Sequence, residues 1–179
     1  MALRKASAYS KHRKVVYSRK SSVRSKSYIK TVPPIKIVKF VMGDSPKFEA
    51  GRFNFVIYLI SKEEVQIRDN ALESARMIIH REIEDQLKGD YYFSVKAYPH
   101  HILRENKMLV GAGADRMQTG MSLSFGAPVG RAAYIREGDT IFIVALNNKE
   151  SLPPIRDILK KAQSKLPCKT KIVVTEVKK

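Results

Sequence analysis

The first 43 residues carry twelve lysines and arginines and no acid, the first carboxylate being Asp44. These are Arg4, Lys5, Lys11, Arg13, Lys14, Arg19, Lys20, Arg24, Lys26, Lys30, Lys36 and Lys39. They supply twelve of the seventeen net positive charges of the 179-residue chain. A block this basic repels itself and offers little apolar surface to offset the entropy of ordering, so it is expected to order on a polyanion. Residues 1–34 are therefore read as a basic arm and 35–179 as the folded domain, with Pro33-Pro34 as the punctuation between them.

Two polyanions are candidates, a nucleic acid and an acidic membrane face. Membrane-surface segments pair their charges with an apolar helical stripe, which the arm lacks. Tyr9, Tyr17 and Tyr28 instead interleave with the cations, as suits stacking on bases beside phosphate contacts. A solubilising tail is the plainer alternative. No helix-turn-helix or zinc-finger spacing points to DNA, so RNA is the better expectation. No apolar run is long enough for a membrane span, and the basic N-terminus has no apolar signal core. The single cysteine, Cys168, excludes an intrachain disulfide and fits a reducing cytoplasm. One cysteine and four histidines (12, 80, 100, 101) show no ligand spacing, so no metal is expected.

Beyond the arm, the alternation in Ile35–Val41 predicts a first strand and Gly43-Asp44-Ser45-Pro46 a turn. Phe53–Ile60 is rich in β-branched and aromatic residues and reads as a buried strand. Ser61 stands three residues before Glu64, a capping-box spacing. It predicts a helix whose stripe is Ile67, Ala71, Ala75, Ile78 or Ile79 and Ile83, widened by Leu72 and Leu87 and ended by Gly89. Tyr91–Tyr98 and His101–Arg104 are the next strands, parted by Pro99. Gly130–Arg136 and Thr140–Leu146 are expected to pair as a hairpin about Glu137-Gly138-Asp139. A second helix opens at Ser151 and Pro153, buries Ile155, Ile158, Leu159, Ala162 and Leu166, and closes at Pro167; Lys171–Val177 is the last strand. The expected class is α+β, a two-layer sandwich of largely antiparallel sheet with two amphipathic helices on one face.

Between two of these strands lie some twenty residues, Met108–Ala127, with neither helical nor strand period. Connections of this length inside a compact domain are usually functional or disordered. Gly111, Gly113, Gly120 and Gly126 allow close backbone approach, and Met108, Met117 and Met121 supply adaptable apolar contacts. A loop that orders only against a large partner is the sharper reading; a mobile surface loop is the plainer one. Lys107, Arg116 and Arg131 flank it with positive charge, and Arg104 joins them if its strand face allows.

No catalytic set emerges. Gly111-Ala112-Gly113 is a fragment of a dinucleotide fingerprint without its final glycine. His100 and His101 point to opposite faces of a strand, one expected to be buried and one to face a phosphate. Asp115 and Glu105 are too few acids to hold the two metal ions of a nuclease.

The run Asn106-Lys107-Met108-Leu109, then Ala112 to Met121 (AGADRMQTGM), then Phe125-Gly126 and Pro128-Val129-Gly130, resembles the signature of a universal large-subunit ribosomal protein family, called L-ten-e in archaea and eukaryotes and L-sixteen in bacteria. Supporting matches are Lys39 to Asp44 (KFVMGD), Asn70 to Arg76 (NALESAR), Pro99 to Arg104 (PHHILR) and Ala162 to Pro167 (AQSKLP). The similarity runs from about residue 28 to the end. It implies an α/β-hammerhead core, no enzymatic activity and no cofactor, packed on large-subunit ribosomal RNA among neighbouring ribosomal proteins. It implies further that the loop, with Met108, Gly111, Gly113, Asp115, Met117, Gln118, Thr119, Gly120 and Met121, reaches toward the peptidyl transferase centre, while the body lies near the aminoacyl-site transfer RNA. A role in subunit maturation is a second implication, and a free RNA chaperone or assembly RNA binder is the alternative. Ser122 and Ala127 depart from the family's usual basic residues, which makes the loop tip less positive. The first 27 residues lack the family's usual start, and the short C-terminus favours an archaeal source.

Overall fold

A computed structural model describes residues 4–11, 21–106 and 125–177. Its strands are β1 (Val41–Gly43), β2 (Phe55–Ser61), β3 (Val65–Arg68), β4 (Tyr92–Val95), β5 (His101–Glu105), β6 (Ala127–Ile135), β7 (Thr140–Leu146) and β8 (Thr170–Glu176). The helices are α1 (Ser7–Ser10), α2 (Ser45–Glu49), α3 (Asp69–Leu87) and α4 (Leu152–Gln163). Five strands form an antiparallel sheet in the order β1-β4-β7-β2-β8, and three form a second antiparallel sheet in the order β3-β6-β5. The α+β class is as expected, with the strands divided between two sheets.

Period-two alternation assigns the faces of the large sheet. Ile57 and Leu59 of β2, Phe93 and Val95 of β4, and Phe142, Val144 and Leu146 of β7 enter one core with Leu72, Ala75, Ile79 and Ile83 of α3 and Ile155, Ile158, Leu159 and Ala162 of α4. Both long helices thus cover the same face. Their alternates Val56, Tyr92, Ile143 and Ala145 form a smaller cluster on the other face with Phe53, under Phe48 of α2. The ring of Phe48 stacks on that of Tyr92 at 3.9 Å. Val65 and Ile67 of β3 with Ala133 and Ile135 of β6 reach the main core from the small sheet, so both sheets share one interior.

Three expectations are corrected. Gly130–Arg136 and Thr140–Leu146 are not partners: β6 lies in the small sheet and β7 in the large one. The turn between them exists, with the Arg136 amide donating to Asp139 Oδ2 at 2.8 Å. It crosses from sheet to sheet beside the β2–β3 connection, which makes the same crossing. The two crossings are tied by Ser61 N–H to Asp139 O (3.0 Å) and Gly138 N–H to Ser61 O (2.9 Å). Since β2 pairs with β7 and β3 with β6, residues 55–68 and 127–146 form one ribbon bent at Ser61 and Asp139.

The same bend explains the second correction. Ser61 opens no helix; its hydroxyl donates to Glu63 O (2.7 Å) and accepts from the Glu63 amide (3.3 Å), closing the crossing turn. Ile67 belongs to a strand, and the helix starts at Asp69, seven residues later than a cap at Ser61 would place it. It ends as expected, at Lys88 and Gly89 with φ of 44° and 94°. Third, Ile35–Val41 becomes a strand only at its last residue. Carboxylates of α3 accept from this segment: Asp69 Oδ2 from the Lys36 amide (3.2 Å) and Glu73 Oε2 from the Val38 amide (3.4 Å). Helix side chains thus replace a strand partner, while Ile37 still enters the core.

Gly43 fixes the meeting of β1 with Tyr91. Its φ is +83°, and a Cβ there would stand 2.1 Å from the Tyr91 carbonyl oxygen, which already accepts from the Asp44 amide at 2.9 Å. Gly138 has a similar φ of +87° but open space around it. Gly43→Ala should therefore cost at least about 2 kcal/mol, against about 1 kcal/mol for Gly138→Ala, where only the backbone conformation is penalised. Urea denaturation of both variants tests this; equal losses would mean that the Tyr91 contact yields.

Candidate nucleic-acid interface

The outer face of the small sheet is polar where its inner face is apolar. Gln66 and Arg68 alternate with Val65 and Ile67, and Gln66 sits opposite Tyr134. Residues 4–11 lie over this face. Glu105 Oε1 accepts from Arg4 Nε at 2.8 Å and from its terminal nitrogen at 2.5 Å. Glu105 Oε2 accepts from the Tyr9 hydroxyl at 3.1 Å. Gln66 Nε2 donates to Tyr9 O (2.8 Å), Arg68 donates to Arg4 O (3.1 Å), and the Arg68 guanidinium lies 5.4 Å from the Tyr9 ring centre. Lys11 adds a bridge to Val65. Burial, followed by the Glu105 hydrogen bond, raises the Tyr9 pKa; the same carboxylate raises that of Arg4. This part of the arm has a protein partner already.

Glu105 also stands at the foot of the long connection. It pairs with Ala127, so the chain leaves β5 and re-enters β6 at one point. Gly126 makes that closure possible: its φ is +82°, and a Cβ would lie 2.8 Å from the Glu105 carbonyl carbon. Beside it the Arg104 guanidinium stacks over Phe125 at 4.1 Å, so Arg104 does reach the loop foot. Arg131 Nε donates to Pro33 O at 2.7 Å and straps the residues before the domain to β6.

The remaining expected contacts divide in two. Lys5, Arg24, Lys26, Lys30, Lys36 and Lys39 are exposed, and Lys30 Nζ donates to Arg24 O (2.8 Å) and Ser25 O (3.3 Å), curling the segment on itself. Arg13, Lys14, Arg19, Lys20, Lys107, Met108, Gly111, Gly113, Asp115, Arg116, Met117, Gln118, Thr119, Gly120 and Met121 lie outside the described residues. Among the described residues no group of His, Cys, Asp and Glu could hold a metal ion, and no helix is long and apolar enough to cross a membrane.

His101, the first residue of β5, is buried, and His100, just before the strand, is exposed. The His101 ring stacks on Tyr134 at 4.9 Å. Burial, then the nearby Arg104 and His100 charges, push its pKa down to about 4, so the ring is neutral near pH 7. Burial likewise pushes Tyr134 up to about 12. Gln66 and Arg68 were not singled out from the sequence, and Glu105 was considered only as a metal ligand. The alternation Val65-Gln66-Ile67-Arg68 carried the signal, masked by the capping-box spacing before it.

The chain matches the family model described as ribosomal protein L16p/L10e over residues 12–173. It belongs to that family. Among similar proteins is the large ribosomal subunit protein uL16 of Hyperthermus butylicus, 42% identical over 180 residues, covering 99% of this chain and 96% of that protein. The protein of the same name from Metallosphaera sedula is 46% identical over 156 residues, covering 86% of each. That from Methanococcus aeolicus is 39% identical over 175 residues, covering 97% of this chain and 95% of its own. The family match spans the described loop foot, the small sheet and both long helices.

Glu105→Gln should remove the ion pair to Arg4 and speed tryptic cleavage at Arg4 and Lys5 severalfold without unfolding the domain; an unchanged rate would mean that the Gln66 and Arg68 contacts suffice. A second prediction concerns pH. The folded His101 pKa is depressed below its unfolded value of about 6.5, so between these values the unfolded chain binds more protons. Its contribution is complete above about pH 6.5 and is lost as pH falls toward 4. Acidification through this window should destabilise the native chain more steeply than His101→Gln, as compared by thermal unfolding at several pH values.

Proposed function

We propose that this chain is a structural constituent of the large ribosomal subunit and binds the subunit's large ribosomal RNA. Near-full-length identity to proteins named as large ribosomal subunit proteins is the observation that carries this reading. The basic N-terminal stretch and the exposed lysines of residues 24–39 supply the electrostatic contacts, and the 108–127 connection supplies the shaped one. In this proposal the loop reaches toward the peptidyl transferase centre and the body helps position aminoacyl-site transfer RNA, while RNA performs the chemistry. Neighbouring large-subunit proteins are its other partners.

The described geometry supplies a rigid base for the loop. Both ends of the loop are anchored in the small sheet, whose inner face shares the main core, so RNA contacts made by the loop would be referred to a fixed body. Positioning of this kind needs no titratable cluster in a pocket. It needs a scaffold that keeps its shape while a long, glycine-rich segment adapts.

Deleting Met108–Gly126 would leave Asn106-Lys107 between the paired residues Glu105 and Ala127, the length of a two-residue hairpin loop. The domain should therefore fold, and subunits carrying the variant should assemble poorly or transfer peptides slowly. Normal growth with the deletion would sink the functional role of the loop. Charge reversal at Lys11, Arg13, Lys14, Arg19 and Lys20 should weaken RNA binding and flatten its salt dependence by about 0.7–0.9 in logarithmic slope for each phosphate no longer neutralised. An unchanged slope would place the main electrostatic anchor elsewhere.

A further inference from the structure

Away from the small sheet, a cleft of about 440 Å³ is lined by Lys39, Val41, Met42, Gly43, His80, Glu84, Gly89 and Tyr91. Its volume falls in the range of small-molecule sites. Tyr91 is buried and forms the floor. Its hydroxyl donates to Glu84 Oε2 and lies 3.2 Å from His80 Nε2. A phenol has one proton, so with that proton on Glu84 its oxygen accepts from an Nε2–H of His80. Burial, then the Glu84 hydrogen bond, raises the Tyr91 pKa, so the phenol stays protonated near neutral pH. Two side chains one helical turn apart thus converge on one hydroxyl, which orients the Glu84 carboxylate at the cleft.

The second Glu84 oxygen accepts no hydrogen bond from the described residues, and Lys39 forms no ion pair with any of them. Although both line the cleft, the Lys39 ammonium is more than 4 Å from the Glu84 carboxylate oxygens. The cleft therefore presents an oriented acceptor and a separate cation, with Met42 as the apolar wall between β1 and α3. A ligand that complements this set carries N–H donors on a flat ring and a negative charge set apart from them. A carboxylate is a poor neighbour for phosphate in so basic a chain, but a good reader of a base edge that offers donors.

We propose that this cleft takes an unstacked nucleobase of a bound RNA strand, with guanine preferred. The guanine N1–H and N2 amino group donate to Glu84, the ring lies against Met42, and Lys39 meets the attached phosphate. Adenine offers only one donor on the corresponding edge beside a ring acceptor, and uracil a single imino donor between two carbonyls. This inference rests on the RNA-binding reading above and adds a site and a base preference to it.

The test uses the full-length chain and the free nucleotides GMP, IMP, AMP, CMP and UMP, with inorganic phosphate and glycylglycine as further probes, followed by NMR shifts of the His80 ring. IMP lacks the N2 amino group. GMP should saturate the His80 shift about tenfold more tightly than IMP or AMP. Glu84→Gln should abolish that preference, and Lys39→Ala should weaken all nucleotides alike. Equal affinity for every nucleotide, saturation by phosphate alone, a stronger response to glycylglycine, or no response would each overturn the proposal. The GMP–IMP comparison is made on the native chain, so it stands even if a variant misfolds. Loss of GMP binding with a normal salt-dependent affinity for RNA would remove this site and leave the ribosomal role intact.

Discussion

The bend of one antiparallel ribbon at Ser61 and Asp139 is the constraint on which the architecture depends. β2 and β7 enter it in the large sheet, and β3 and β6 leave it in the small one. The backbone hydrogen bonds between Ser61 and residues 138–139 hold the two crossings together. Because the ribbon is continuous, the small sheet cannot move freely against the helix-covered core. Its inner residues Val65, Ile67, Ala133 and Ile135 pack into that core, and its outer face is left for polar residues. Everything that β5 and β6 carry at their far ends is thereby fixed to the body.

Charge is distributed along the same division. Arg4, the first cation of the most basic stretch, is held by Glu105, and Arg131 is tied to a backbone carbonyl. These cations, with Lys30, organise the protein, whereas the exposed Arg24, Lys26, Lys36 and Lys39 remain available to a polyanion. Positive charge in this chain is therefore of two kinds, and composition alone does not separate them. The pair formed by Arg4 and Glu105 joins the N-terminal segment to the foot of the loop, so two regions distant in sequence share one anchor.

Much of this was legible in the residues. The stripe Ile155, Ile158, Leu159, Ala162 and Leu166 is buried throughout, as its three- and four-residue spacing requires, and β7 has the expected bounds, Thr140–Leu146. One of His100 and His101 is buried and the other exposed, as expected, although only His101 lies in a strand. What could not be read was which sheet a strand joins. Gly138 and Asp139 are good turn chemistry, but a turn and a sheet-to-sheet crossing make the same local demands, so the hairpin expected there fails for a tertiary reason. Ser61 misled similarly, since a serine that closes a turn on Glu63 and one that caps a helix present the same spacing to Glu64. Glu105 was visible only as a stray acid because its partners, Arg4 and Tyr9, are about a hundred residues away.

The most direct measurement of the central claim is sedimentation of the native protein from cell lysate through sucrose gradients at low and high salt, with immunodetection across the fractions. Comigration with the large ribosomal subunit and with translating ribosomes at both salts is the predicted result. Recovery at the top of the gradient, or release from the subunit by modest salt, would contradict an integral structural role and indicate a transient RNA binder.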